Sequence, residues 1–327
     1  MYVLELAGED DAFAAYEAGS AATGVEVAAP GVALADGVTE RVRTLAYTHR
    51  ASELVGRCEA SVAGATETLG EVAEPDRSGS VAVRARDVRG ATGASTREAE
   101  RELGSVLVER GFSVDLDDPD NELRAVFSGE SCFLGWLVAE SERGFGGRTP
   151  TKKPYFQPGS MDPLDARAIA NIAGARPGRT VVDPMCGTGG MVVEAGLVGA
   201  RVLGSDVQWK MVRGASENLD RYLPPDRWSV VRGDATALPV RENAVDAVVF
   251  DAPYGRQSKV AGHDLATLVG GALSEARRVA PRAVVVADRR WDEAAGDAGW
   301  TVERTFDRRV HRSLTRYVHV LADPDRE

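Results

Sequence analysis

The chain has 327 residues, 43% of them hydrophobic, with 50 acidic residues against 39 basic ones and a net charge of −11. That apolar content excludes a largely disordered chain, and the length favours two or three domains over one. No apolar run reaches the roughly 18 residues of a membrane span and the first residues lack a signal core, so the sequence reads as a cytoplasmic protein with no membrane partner.

In chain order, Met1 to Leu6 alternates as a strand, Asp10 to Ala22 is predicted helical, and Val25 to Leu34 returns to extended character. Val62 to Ala73 reads as a surface helix and Ser80 to Ala85 as a strand. Ser95 is placed to cap a helix running to about Arg110, and strands are predicted at Phe112 to Leu116, Leu123 to Phe127 and Cys132 to Ala139. Eight glycines and prolines then interrupt the pattern between Ser141 and Pro163, the signature of a linker or a functional loop. Beyond it the reading changes to alternation. Strands at Thr180 to Asp183, Arg201 to Ser205, Trp228 to Val231, Ala244 to Phe250, Ala283 to Ala287, Thr301 to Phe306 and Tyr317 to Leu321 are interleaved with helices at Gly190 to Val198, Lys210 to Tyr222 and Asp264 to Val279. Such alternation implies βαβ units and a mainly parallel sheet, whose ligands sit beyond the carboxyl ends of the strands.

Four segments at those strand ends carry chemistry. Asp183-Pro184-Met185-Cys186-Gly187-Thr188-Gly189-Gly190 leads from strand to helix. Gly187 and Gly189 permit a tight turn and close backbone approach, and the helix start offers free N–H groups. It is not a Walker loop, because no Gly-Lys-Ser/Thr follows, and the acid precedes the glycines. Asp183 there suits a ligand bearing an ammonium group, such as the amino-acid end of S-adenosylmethionine. Asp206, 23 residues on, closes the next strand where an acid can bind ribose hydroxyls. Asp234 closes the third, placed to accept from an adenine amine, although an acid at such a place is as often a simple turn residue. The fourth segment, Val248 to Arg256, ends an apolar strand in Asp251-Ala252-Pro253-Tyr254. Pro253 fixes its own φ and restricts Ala252 to extended geometry, holding the carbonyls still. A purine amine is a poor nucleophile because its lone pair is delocalised into the ring. Asp251 and a carbonyl of Ala252 or Pro253, accepting its N–H bonds, would expose that lone pair, and Tyr254 would stack on the base.

These residues resemble the Rossmann-fold S-adenosylmethionine-dependent methyltransferases that act on exocyclic amines. Their Asp/Asn-Pro-Pro-Tyr/Phe hallmark reads Asp251-Ala252-Pro253-Tyr254 here, with Ala in place of the first Pro. The order Lys153-Pro154-Tyr155-Phe156, Met161-Asp162-Pro163, Asp183 to Gly190 and Asp251 to Arg256 is similar to the archaeal tRNA guanosine-10 N2-dimethyltransferases over about residues 150–260. Val114-Asp115-Leu116 and Pro119-Asp120 resemble a THUMP domain. The resemblance implies a ferredoxin-like segment over residues 1–50, a THUMP RNA-binding domain over 51–142, a linker over 143–160 and a Rossmann-like methyltransferase domain over 161–327. It further implies S-adenosyl-L-methionine as cofactor and tRNA as substrate, with one or two methyl groups added to the 2-amino group of guanosine, at position 10. By the same likeness Asp183, Cys186, Gly187 and Gly189 line the methionine end, with Cys186 a small packing residue. Asp206 takes the ribose, Asp234 the adenine, Phe156 the closing segment, and Asp251, Pro253 and Tyr254 the target base. Methylation at another tRNA guanine, N6-methylation of adenine in DNA or RNA, and a catalytically inactive RNA-binding protein are the competing readings.

The three cysteines, Cys58, Cys132 and Cys186, are far apart and odd in number, which fits neither a disulfide framework nor a thiolate zinc site. His49, His263, His311 and His319 show no ligand spacing, so no metal is expected, and the protein is expected to be a monomer. Only four of the 39 basic residues are lysines, a composition suited to high salt, where charge repulsion is screened within about 3 Å at 1 M. Residues 1–150 hold 27 acidic and 14 basic residues, whereas 151–327 hold 23 and 25, so the second half can approach an anion without penalty. Two arginine groups, Arg277/Arg278/Arg282/Arg289/Arg290 and Arg308/Arg309/Arg312/Arg316, are either phosphate contacts or an acid-paired surface.

Overall fold

A computed structural model describes residues 1–72, 77–254, 264–311 and 314–326. Two compact units divide the chain at Glu142/Arg143.

The first unit is built on one eight-stranded sheet. Its elements are β1 (Tyr2–Leu6), α1 (Asp11–Ala18), β2 (Ala22–Thr23), β3 (Glu26–Ala29), β4 (Val32–Ala35), β5 (Gly37–Val38), β6 (Thr48–Glu59), α2 (Val62–Glu71), β7 (Ser80–Asp87), α3 (Thr96–Glu109), β8 (Ser113–Val114), β9 (Asn121–Ser128) and β10 (Ser131–Glu140). The spatial order is β3-β4-β1-β6-β10-β9-β7-β8, with β2 and β5 forming a separate two-stranded ribbon. Ser95 does cap α3, accepting from the Glu98 N–H at 3.3 Å, and the Ala99/Leu103/Leu107 stripe of that helix is buried with Ala65, Leu69, Leu123 and Phe127.

Two expectations differ from the structure here. The helix predicted to Ala22 stops at Ala18, because the chain turns at Gly19 and Ser20 into β2. The boundary drawn at residue 50 falls inside β6, a twelve-residue strand pairing β1 on one side and β10 on the other, so one sheet runs through it. Sequence patterning passes over β6 because His49, Arg50, Glu53, Arg57 and Glu59 break its alternation. The Arg57 guanidinium is in fact laid over the Phe133 ring, 5.1 Å from its centre. Cys58 and Cys132, 74 positions apart, are direct cross-strand partners, both as free thiols.

The second unit holds α4 (Pro163–Ile172), β11 (Thr180–Asp183), α5 (Gly190–Leu197), β12 (Arg201–Asp206), α6 (Trp209–Tyr222), β13 (Trp228–Arg232), β14 (Ala247–Asp251), α7 (Leu265–Val279), β15 (Arg282–Ala287), α8 (Asp292–Asp297), β16 (Thr301–His311) and β17 (Leu314–Ala322). Its sheet runs β13-β12-β11-β14-β15-β17-β16, parallel through β15 and closed by the antiparallel β16–β17 hairpin. Strands buried on both faces read as continuous apolar runs, as Val248-Val249-Phe250 does. Helix α4 escapes sequence patterning because Pro163 counts as a breaker. It is instead the first helical residue, with Asp162 as cap accepting from the Leu164 N–H at 2.9 Å.

The expected linker, 143–160, packs within this unit. Phe145 is buried under the guanidinium groups of Arg143, Arg148 and Arg167, and Arg148 and Arg167 both pair with fully buried Glu194 at 2.7 and 2.8 Å. No helix among the described residues is long and apolar enough to cross a membrane.

Candidate active site

The parallel register brings four carboxylates to one rim. Along the sheet order β13-β12-β11-β14 the strand ends carry Asp234, Asp206, Asp183 and Asp251 in turn, with Asp288 just past β15. Asp183 is 1% exposed and accepts from the Met185 N–H at 3.0 Å. Asp206 accepts from Gly187 N–H at 3.0 Å and Gln208 N–H at 2.9 Å. Burial pushes the Asp183 carboxyl well above the usual range, helped by the charges of Asp206 and Asp251, and burial likewise raises Asp206. Among the described residues no basic side chain pairs with either acid.

The loop between them takes the shape its glycines allow. Gly187 and Gly189 both lie in the left-handed region, at φ 51° and 79°. Cys186 is buried against Gly204, where an added Cβ would come 3.0 Å from its sulfur, and burial pushes its thiol up. That is a packing role. A buried fastener, Asn218 on α6, ties the loop to the preceding segment. Its amide donates to Thr188 O at 2.8 Å and Tyr155 O at 3.0 Å while its oxygen accepts from Tyr155 N–H at 2.9 Å. The Tyr155 ring lies so close to α6 that a Cβ on Gly214 would come within 2.2 Å of it. Ser160 and Thr188 hydroxyls add a 3.2 Å contact. Sequence reading missed Asn218, since an amide in the middle of a helix carries no motif.

Asp251 closes β14 partly buried, its register against Val286 of β15. The next residue, Ala252, is buried and its N–H is pinned to Val286 O at 2.8 Å, so the turn into Pro253 starts from fixed backbone. The Tyr254 hydroxyl donates to Asp251 Oδ1 at 2.8 Å and accepts from Arg316 Nε at 2.8 Å. Burial raises Asp251 to about 6 despite the opposing Arg316 charge and the Tyr254 bond, and it raises the Tyr254 phenol as well. Arg316 belonged to a group read as phosphate contact or acid-paired surface; it is 6% exposed and turned inward. Its neighbours in those groups are largely acid-paired: Arg277 with Asp323 and Asp325, Arg278 with Glu275, Arg282 with Glu303, Arg290 with Asp307 and Arg308 with Asp165. Gly255, Arg256, Lys259, His263 and Arg312 lie outside the described residues.

The remaining two candidates are peripheral. Asp234 is exposed and its carboxylate is engaged by the Thr236 N–H and hydroxyl at 2.9 and 2.8 Å, a turn role that leaves it on the rim beside Asp206. Phe156 is 46% exposed, next to the anchored Tyr155. The donor set as a whole is chemically selective. Asp183 and Asp206, desolvated and without a basic partner among the described residues, suit a ligand that brings its own positive charge and hydroxyl groups, and they disfavour a phosphate. S-adenosylmethionine, with an ammonium, a sulfonium and a ribose diol, meets that description.

Comparison with known proteins agrees. Residues 150–318 match the family described as RMKL-like, methyltransferase domain. A tRNA (guanine(10)-N2)-dimethyltransferase of Methanothermobacter thermautotrophicus is 36% identical over 290 residues, 85% of this chain and 83% of that protein. The enzyme of the same name from Methanocaldococcus jannaschii is 31% identical over 233 residues, 68% of this chain and 63% of its own. The crystal structure of TrmN from Thermus thermophilus shares the fold with a TM-score of 0.51 at 24% identity, over 98% of this chain and 99% of its own. The chain belongs to the tRNA (guanine(10)-N2)-dimethyltransferase family, within the RMKL-like methyltransferases.

Proposed function

We propose that the protein methylates the exocyclic 2-amino group of a guanosine in tRNA, at position 10, in two successive steps giving N2-methyl- and N2,N2-dimethylguanosine. The observation that supports this most is Asp251 at the rim beside Asp183, backed by the names of the relatives. S-adenosylmethionine, when bound, supplies a methyl group made electrophilic by the adjacent sulfonium. Asp183 and Asp206 are the groups proposed to hold its ammonium and ribose ends, with Gly187, Gly189 and Cys186 shaping the loop beneath and Phe156 and Asp234 at the edge.

Asp251 then accepts an N–H bond from the guanine amine, and the carbonyls around Pro253 are fixed closely enough to accept the other. In the first transfer two acceptors favour a pyramidal nitrogen whose lone pair is free to attack, and in the second the single remaining N–H needs only one of them. Their negative charge also stabilises the positive charge that develops on nitrogen. Orientation supplies most of the acceleration, for which well-placed reactants contribute about 7–11 kcal/mol. Asp251 can take the surplus proton afterwards, although water serves equally well. The guanine has to leave its stack, at a cost of a few kcal/mol that contacts elsewhere on the tRNA must offset. We assign that task to the first unit, as a THUMP module over 51–142 preceded by a ferredoxin-like segment.

The test is incubation of unmodified tRNA with the purified protein and labelled cofactor, followed by nucleoside mapping by mass spectrometry. N2,N2-dimethylguanosine at position 10 is expected. Label on N6 of adenine, at another guanine, or nowhere would overturn the proposal.

A further inference from the structure

The hairpin strand β17 sends one cation into the candidate site. Arg316 reaches the Asp251 turn from the antiparallel half of the sheet, two positions past the start of β17 and next to Tyr317, which pairs with Ala287 at the end of β15. Its Nε lies 2.8 Å from the Tyr254 hydroxyl, and its Nη2 lies 3.9 Å from Asp251 Oδ2. A guanidinium can only donate. The Tyr254 oxygen therefore accepts from Arg316, and its single proton has to point at Asp251 Oδ1, 2.8 Å away. The relay fixes both ends of the turn at once. One carboxylate oxygen is occupied by the phenol, and the other, beyond hydrogen-bond reach of Nη2, keeps its lone pairs for a substrate amine.

The charges around Asp251 make this arrangement consequential. Burial opposes its ionisation most strongly and the charge of Asp288 after β15 adds to that, while the charge of Asp251 in turn opposes the ionisation of Asp183 on β11. Among the described residues, Arg316 is the countercharge that acts on Asp251. Arg316 itself also feels Asp165 on α4, which is already paired with Arg308 at 3.0 Å. We infer that Arg316 is a positioning residue for methyl transfer: through Tyr254 it orients Asp251, and by its charge it keeps that carboxylate in the accepting form. The inference rests on the proposed function and extends it to a strand that carries no motif.

The experiment is a single-turnover pH profile of methyl transfer to tRNA for wild type, Arg316→Met and Arg316→Lys, with S-adenosylhomocysteine affinity of each measured by calorimetry. Wild type is expected to lose transfer on the acid side with a midpoint near pH 6, the value about which Asp251 titrates. Arg316→Met should move that midpoint up by half a unit or more and lower the plateau at least tenfold, with cofactor affinity within threefold. Arg316→Lys, which keeps the charge but loses the planar fork, should restore the midpoint without restoring the plateau. A midpoint in Arg316→Met within half a unit of wild type would overturn the inference, because an arginine that only fills space lowers activity equally at all pH. If Arg316→Met fails to fold, Arg316→Gln replaces it under the same criterion. Absence of transfer by wild type itself would count against the proposed function instead. In that event, carboxyl-carbon NMR titration of Asp251, assigned through Asp251→Asn, decides the inference: the same upward shift supports it and an unmoved titration overturns it.

Discussion

Asp206 and Asp183 lie in surroundings that penalise their charge, and this gives the free and the ligand-bound protein different pH responses. Burial raises both above their unfolded values, near 3.9 for an aspartate. The folded state thus binds protons more tightly than the unfolded one. Stability owed to these groups is fully present below about pH 4 and is lost as pH rises through their raised folded values. A cationic ligand works in the opposite sense, because it needs the ionised acids. S-adenosylhomocysteine affinity should therefore weaken measurably between pH 7.5 and pH 5, where ordinary exposed aspartates would still be ionised, and calorimetry at both pH values tests this. Asp206→Ala should weaken that affinity at pH 7.5 by tenfold or more, since its two carboxylate oxygens also fix the Gly187 and Gln208 N–H groups. Unchanged affinity would remove it from the site. These acids were legible in the sequence because each closes an apolar strand. Arg316 and Asn218 were not, because their roles depend on which residues the fold brings across to them.

Two elements carry the geometry that the site borrows. Asn218 on α6 holds both the segment around Tyr155 and the glycine loop, all by buried hydrogen bonds. Asn218→Ala would strand three backbone groups, costing about 2 kcal/mol or more. Thermal unfolding should drop accordingly and S-adenosylhomocysteine affinity should fall with it; a variant as stable as wild type would contradict the fastening role. In the first unit, Glu5 on β1 is 1% exposed and bonded by Arg124 at 2.8 and 3.2 Å and by Arg86 at 3.1 Å. Burial pushes its carboxyl up, but the two arginines outweigh that and hold it below the usual range. Its contribution to stability is present above about pH 4.3 and disappears as pH falls through the lower folded value. Glu5→Gln removes the buried charge partner of Arg124, leaving it only the less buried Glu122 at 3.1 Å, and should cost about 3 kcal/mol at pH 7, with a smaller difference from wild type at pH 3. Equal losses at both pH values would argue that the pair is not ionic. Element existence was readable wherever polarity alternated cleanly, as in β7 and α3. It was hidden in β6, where charged side chains lie along the sheet surface, and in α4, where a proline opens the helix.

At the scale of the whole molecule, the break in composition lay in the right region, but its meaning was different. Glycines and prolines between residues 143 and 160 suggested a tether. Phe145, Tyr155 and Glu194 instead make this stretch part of the second unit, which has its own buried core around Phe250, Leu273 and Val285. A fragment comprising residues 143–327 is therefore expected to fold and bind S-adenosylhomocysteine with near-normal affinity, while losing methylation of tRNA at least 100-fold. If the fragment modified tRNA as well as the full chain does, the acidic first unit would need another role.

The central claim is that the turn after β14 accepts the hydrogen bonds of an aromatic amine beside a bound methyl donor. It is tested most directly by single-turnover transfer to unmodified tRNA with Asp251→Ala, alongside S-adenosylhomocysteine affinity on the same preparation. The expected result is a loss of transfer of at least 100-fold with affinity within threefold of wild type. Transfer at a near-normal rate with that variant would contradict the account.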